Sequence, residues 1–401
     1  MGRLPLPRSA MSVTFIHTAD WQIGKPFAGV SDPEKRTLIR QERINAIGRI
    51  GGLAKKSGAA FILVAGDLFD APTVNQSVVS ATCSAIGKLK IPVFVIPGNH
   101  DHGGPGCLWD QEFFVREKES LAPNLRVLLD REAVELDHCV LYPCPLLRRH
   151  ESNDPCGWLH SLEETEAGPK PRIALAHGSI HGFKSQSEDD EDDGGMANLI
   201  ALDRLPTAFF DYIALGDWHG AKKINSHTWY SGTHEPDRFS RGESNDPGNA
   251  LVVKVARGAT PEVEKVSTAQ LGWHLMNFDF SSDDHLSLLE KEGEKMMGNR
   301  AGSDLLELTL TGSLGFEAKS KLEQLIESWE SRLLRLKLSD RTVIAPSDEE
   351  IESLTKRAGD PQISQVAARL FSVATSSDND EESELARLAL RELHALVSRL
   401  S

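Results

Sequence analysis

The chain has 401 residues, 40% of them hydrophobic, and its 44 basic against 59 acidic side chains leave a formal net charge of −15. That length gives room for two or three domains with a substantial core, while the acidic balance argues against a protein that coats nucleic acid through many phosphate contacts. No run approaches the roughly 18 to 20 apolar residues of a membrane span, and five cysteines, odd in number and matching no zinc spacing, point to reduced thiols in a cytoplasmic chain.

In chain order, the first ten residues lack the apolar region of a secretory signal, Leu6 argues against myristoylation, and Met11 is an alternative start. Val13 to His17, Phe61 to Ala65, Val93 to Pro97, Ile173 to Ala176 and Tyr212 to Leu215 read as buried strands. Between them, Ile44, Ile47, Ile50 and Ala54 recur at helical spacing in a stretch from Glu34 to Lys56, with Lys35, Arg36, Arg40 and Arg43 between the apolar turns of an amphipathic surface helix. Val79, Cys83 and Ile86 repeat that pattern after Pro72. Cys139 and Cys144 flank a strand and a Pro turn, where a redox pair is the lesser reading. The acidic runs Ser187 to Asp193 and Asp378 to Glu384 read as solvated loops; the sharper alternative makes the first a phosphate mimic shielding a cleft.

The texture changes after the strand Ala250 to Val255. From Gly272 the chain reads as a strand (Trp273 to Phe280), a Ser/Asp-rich stretch, a strand with Leu306, Leu308 and Leu310 on one face, a helix carrying Leu322, Leu325, Ile326, Trp329 and Leu333, and a strand through Leu334, Leu336 and Leu338: a small β-α-β unit. Lys319, Lys321, Arg332, Arg335 and Lys337 could contact phosphates there, or form an ordinary solvated face. Near the end, Leu385, Ala389, Leu393, Leu396 and Leu400 make one apolar stripe on a charged helix, suited to a partner's groove or to packing at home.

Five polar segments follow the five buried strands, where open α/β sheets build their sites: Asp20-Trp21-Gln22, Gly66-Asp67-Leu68-Phe69-Asp70, Gly98-Asn99-His100-Asp101, His177-Gly178 and Gly216-Asp217-Trp218-His219-Gly220. Singly, each is more often a turn or a core residue. Together they are suited to two divalent cations about 4 Å apart, which need a shared anionic bridge with oxygen and imidazole ligands on several sides. Asp67 is the natural bridge, with Asp20, Gln22 and His219 completing one metal and Asn99, His177 and Asp217 the other. His100 is left to protonate a leaving oxygen or stabilise charge on a bound phosphate, and Asp101 to orient its ring. The reaction so read is in-line hydrolysis of a phosphate ester by a metal-activated hydroxide.

This series resembles the calcineurin-like metallophosphoesterases, whose pattern runs D-x-H, G-D-x-x-D, G-N-H-D, a late His and G-H-x-H. His17-Thr18-Ala19-Asp20 with Ile23-Gly24-Lys25, and Tyr230-Ser231-Gly232-Thr233 leading to Arg238-Phe239 and Gly242-Glu243, are similar to the SbcD branch of DNA repair nucleases. The resemblance covers roughly residues 12 to 345. It implies an α/β fold, a β-sandwich flanked by helices, with a small α+β capping domain that orients duplex DNA and a C-terminal helical extension. It also implies a manganese-dependent exonuclease or endonuclease, a SbcC-type coiled-coil ATPase gripped by the C-terminal helices, and a homodimer built on the helices near Glu34 to Lys56 and Val79 to Ile86. The division expected is an N-terminal extension at 1–11, a two-metal domain at 12–270, a DNA-capping domain at 271–345 and a partner-binding tail at 346–401.

Two positions depart from the pattern: Gln22 stands where a ligand His is usual, and Asp217 replaces the first His of G-H-x-H. A Gln amide oxygen is a weak neutral ligand, and Asp217 adds a hard anionic donor that suits manganese or magnesium better than zinc. The resemblance implies manganese as the preferred cofactor of the two-metal site, and these donors allow magnesium or one metal held loosely. The alternatives are a small-molecule phosphodiesterase or phosphatase with the same ligands, a catalytically weakened subunit that binds DNA or the ATPase, and an interaction protein without metal.

Overall fold

The computed structural model describes residues 11–162, 168–180, 197–206, 208–240, 245–298, 300, 302–345, 347–357, 359–376 and 380–400. The acidic run 187–193 and the Gly242-Glu243 pair lie outside them. The chain divides into two units, Met1–Leu271 and Gly272–Ser401.

In the first unit Ser12–Thr18, Ile62–Ala65, Val93–Ile96 and Leu125–Val127 are parallel neighbours, extended by Asn249–Ala256 and Glu262–Ser267 on the antiparallel side. A second six-stranded sheet runs in the order Lys222–Lys223, Thr228–Tyr230, Tyr212–Gly216, Arg172–His177, Val140–Cys144, Val134–Glu135, its four inner strands parallel. Successive residues of a strand point to opposite faces, and here both faces are covered. Phe15 packs with Leu63, Ile96, Leu141 and Leu175 between the sheets, whereas Ile16 and Val64 face Ile47, Ile50, Val79 and Ile86 of the helices. Double burial is why these strands are unbroken apolar runs rather than alternating ones. A third cluster of Tyr142, Ala174, Ile213, Phe209 and Phe210 covers the far face of the second sheet.

The helix Pro33–Ser57 starts where Asp32 Oδ1 accepts the amides of Glu34 and Lys35 at 2.8 and 3.2 Å, and stops at Gly58 with φ of 66°. One expectation for this helix needs correcting. Arg43 does not join the outward charged residues; it is 1% exposed. The helix pattern could not show this, because polar carbonyls rather than apolar atoms receive that side chain.

In the second unit Gly272–Phe280, Asp304–Leu314 and Arg335–Asp340 are parallel neighbours, and Val343–Ile344 pairs with the end of Asp304–Leu314. Parallel neighbours need crossovers. Phe316–Arg332 is the expected one, but the Ser/Asp-rich stretch also leads into a helix, His285–Met297, which buries Leu289 and Met297 against Trp329 and Leu308. Three helices follow: Asp348–Thr355, opened by a capping box between Ser347 and Glu350, then Pro361–Ser376 and Asp380–Leu400. The apolar stripe read on the last helix packs only in part, Leu393 lying against the neighbouring helices. Ala386, Leu390 and Val397 meet Ala367, Ala374, Leu354 and Phe316, while Leu385 and Leu396 are 67% and 56% exposed. Both stripes have helical spacing, so spacing alone does not choose between them. No helix among the described residues is long and apolar enough to cross a membrane.

Candidate metal centre

Each of the five segments begins where a strand ends, so adjacent parallel strands deliver their polar residues to one edge. Asp20, Gln22, Asp67 and Asp217 all have positive φ, at 53°, 40°, 55° and 104°. Such conformations cost of order 1–3 kcal/mol each and persist where the surroundings fix them. Glycines make room: a Cβ on Gly66 would lie 2.1 Å from His177 Nδ1, and one on Gly98 2.1 Å from Asp67 Oδ1.

The side chains converge on one point. Ligand atoms of Asp20, Asp67 and His177, all buried, lie within 4.8 Å of one another. His177 Nδ1 donates to the Ala65 carbonyl at 2.8 Å, which leaves Nε2 facing Asn99 Oδ1 at 3.0 Å, Asp67 Oδ2 at 3.6 Å and Asp217 Oδ1 at 3.9 Å. A lone pair aimed at three oxygens is repulsive unless a proton or a metal cation stands between them. The electrostatics agree. Burial would depress His177, but Asp67, Asp20 and Asp217 raise its pKa to about 9. Burial and the neighbouring carboxylates push Asp20 well up; burial also acts on Asp67, yet the His177 and His100 rings hold it below its usual value. Five oxygen or imidazole donors with a surplus of negative charge fit a hard divalent cation. Asp217 is further tied in by its backbone amide, which donates to Asp20 Oδ1 at 3.1 Å, and by the Ser179 hydroxyl, which donates to its Oδ2 at 2.7 Å.

The other half of the expected pair is built differently. His219 Nδ1 donates to Asp237 Oδ1 at 3.1 Å, with Arg238 Nη2 3.0 Å from the same nitrogen and 3.1 Å from Asp237 Oδ2. Its Nε2 faces the Gln22 amide nitrogen at 3.4 Å, and Gln22 Oε1 accepts from Lys25 Nζ at 3.0 Å. Lys25 also pairs with Asp237 Oδ2 at 3.1 Å and lies 3.7 Å from Asp70 Oδ1. Burial lowers His219 to about 4, so it is neutral. Against burial, His219, Arg238 and Lys25 hold Asp237 well below the usual carboxylate range.

His100 sits at the rim. Its amide donates to Asp67 Oδ1 at 3.0 Å and its Nε2 lies 3.9 Å from Asp67 Oδ2. The ring is held by Asp70, whose carbonyl accepts from Nδ1 at 2.8 Å, and not by Asp101. Asp101 points inward instead, accepting the amides of Gly98 at 2.7 Å and Phe69 at 3.0 Å, and so locks two of the ligand loops together. Although burial opposes it, the Asp67 carboxylate and the Asp70 carbonyl raise the His100 pKa. The reading of residue types missed Arg43, Asp237 and the charge of Lys25. Arg43 donates to the carbonyls of Asp20, Trp21 and Glu235 and to the Thr233 hydroxyl at 2.7 to 3.1 Å. Lys25, three residues beyond Gln22, was the one with a local signal.

Residues 13–221, which are 209 of the 401, match the family model for calcineurin-like phosphoesterases. The chain belongs to that family, and with it to the hydrolases of phosphate esters. It is similar to the SbcD subunit of the nuclease SbcCD from Staphylococcus epidermidis, 25% identical over 238 residues, 54% of this chain and 60% of that protein. The alignment thus spans less than two thirds of that relative. Among solved structures it is similar to TT1561 of Thermus thermophilus, with 12% identity and a TM-score of 0.36 over 64% of this chain and 99% of that one. Another crystal structure shares 14% identity and a TM-score of 0.39, over 64% of this chain and 100% of that one.

Proposed function

We propose that the protein is a metal-dependent DNA nuclease that cuts phosphodiester bonds and works with a SbcC-type coiled-coil ATPase. The observation that carries the reading is the convergence of buried Asp20, Asp67 and His177, with Asn99 and Asp217 facing His177 Nε2 and the half-buried His100 ring beside Asp67. Manganese is the preferred ion and magnesium the alternative; a bound cation there supplies Lewis acidity toward phosphate oxygens. Asp67, Asp20 and His177 would hold it, Asn99 and Asp217 would complete the donor set, and His100 Nε2 carries a proton to the leaving oxygen. The similarity to a SbcCD nuclease component supports DNA as the substrate. We assign residues 12–270 to catalysis, 271–345 to engaging duplex DNA, and 346–401 to the ATPase, with exposed Leu385, Leu388 and Leu396 as the docking stripe. A weakened subunit that binds without cutting is the second reading, favoured by the Lys25 ammonium on Gln22.

The test is incubation of labelled single- and double-stranded DNA, and of a chromogenic phosphodiester, with manganese, magnesium or chelator, with and without a coiled-coil ATPase. DNA cleavage that chelator stops is the expected result; cleavage of the small diester alone would refute the DNA assignment. His100→Ala is expected to lower turnover by about 10²–10⁴-fold while manganese stays bound, and a variant cutting at the wild-type rate would remove His100 from the mechanism.

A further inference from the structure

We propose that Lys25 supplies the second positive charge of this centre, so that the chain holds one divalent cation tightly and an ammonium group where a second cation would otherwise bind. The inference rests on the reading of the site as a metal centre. Its basis is the asymmetry between the two halves. On the His177 side, three oxygens and an imidazole lone pair face one another. On the His219 side the ring nitrogens and the Gln22 amide are already partnered. The ammonium of a lysine has only protons to offer, so the 3.0 Å contact with Lys25 fixes which end of the Gln22 amide points which way. The oxygen goes to Lys25 and the NH₂ group goes to His219 Nε2, the atom a metal would need.

Asp237 completes the arrangement. It turns His219 by its Nδ1 and clasps Lys25 with its other oxygen, at 3.1 Å in each case. The Lys25 side chain is 14% exposed and the Asp237 side chain 1%, so this is a built contact and not a surface ion pair. A cation bound to Gln22 and His219 would have to break the Gln22–Lys25 contact, reverse the amide and sit beside an uncompensated ammonium, which Coulomb repulsion opposes in a shielded site. The bland reading makes Lys25 a brace for Asp237 with no effect on metal number.

Titration of manganese into the metal-free full chain by calorimetry, with electron paramagnetic resonance of the same samples, separates the two. Wild type is expected to bind one ion per chain with the six-line spectrum of an isolated centre. Lys25→Met is expected to bind a second ion at least tenfold more tightly than wild type does and to show exchange coupling. Lys25→Gln, which also removes the ammonium, is expected to do the same should Lys25→Met not fold. Two equally tight, coupled ions in wild type would overturn the inference and leave the proposed function intact, as would a second-site affinity unmoved in whichever variant folds. No bound manganese in wild type would overturn both.

Discussion

Asp20, Gln22, Asp67 and Asp217 are held in left-handed backbone that residue type alone does not demand. Asp20 and its neighbour Trp21 are held by the buried Arg43 fork, whose charge is balanced by Asp237, Glu235, Asp70 and Asp20. Arg43→Met would strand those carbonyls and carboxylates, and is expected to cost about 3–5 kcal/mol in urea unfolding and to weaken manganese binding. A loss below 1 kcal/mol, on the scale of an exposed ion pair, would show the clamp is dispensable. The protonation of His177 gives a second prediction. Its pKa, raised from 6.5 to about 9, stabilises the metal-free protein fully below pH 6.5, and that contribution is lost as pH rises through 9. Asp101 and Glu235, each pushed up to about 7 by burial, act in the same direction. The melting temperature of metal-free protein should therefore fall between pH 6.5 and 9. Manganese, which displaces the proton, should reverse the fall and bind more tightly across that interval. A melting temperature that stays flat or rises would contradict the electrostatic account. The polar segments themselves stood out in the sequence because Gly-Asp and Gly-Asn-His-Asp follow apolar runs. Arg43 and Asp237 did not, since what they do depends on partners about 190 and 18 residues away in the chain.

At the scale of elements, the doubly buried strands were legible because burial on both faces leaves uninterrupted apolar residues. The helix His285–Met297 was hidden by the Ser281-Ser282-Asp283-Asp284 stretch before it, though parallel pairing of Gly272–Phe280 with Asp304–Leu314 requires a crossover. The final helix shows where periodicity stops being informative. Its Ala386–Leu390–Val397 face is claimed by neighbouring helices, and the Leu385–Leu396 face is left to solvent. Leu390→Ala should thus destabilise the fold by about 2–5 kcal/mol, whereas Leu385→Ser with Leu396→Ser should leave the melt within about 0.5 kcal/mol and weaken capture of the ATPase coiled coil. A double variant that melts early, or that binds the ATPase as well as wild type does, would remove that face from the docking assignment.

For the whole molecule, the sequence correctly indicated a phosphoesterase fold of sheets flanked by helices, because polar segments recur after doubly buried strands. It could not show the groove of about 1000 Å³ between Pro33–Ser57 and Gln76–Lys88, lined by Gly48, Gly51, Gly52, Ala81 and Ala85. The homodimer that the family resemblance implies would pack across this groove. A side chain at Gly48 or Gly52 would meet nothing within 4 Å in the monomer, while one at Gly51 would strike Leu89. Gly48→Glu should accordingly keep the fold and turn a sedimenting dimer into a monomer; a wild type that already sediments as a monomer would refute the assignment. The proposed nuclease activity, the Arg43 clamp and the role proposed for Lys25 all depend on a cation at the His177 side of the centre. Anomalous diffraction from manganese-soaked crystals tests this most directly. The account predicts a strong peak coordinated by Asp20, Asp67, Asn99, His177 and Asp217, and a bare pocket with the His177 ring still in place would contradict it.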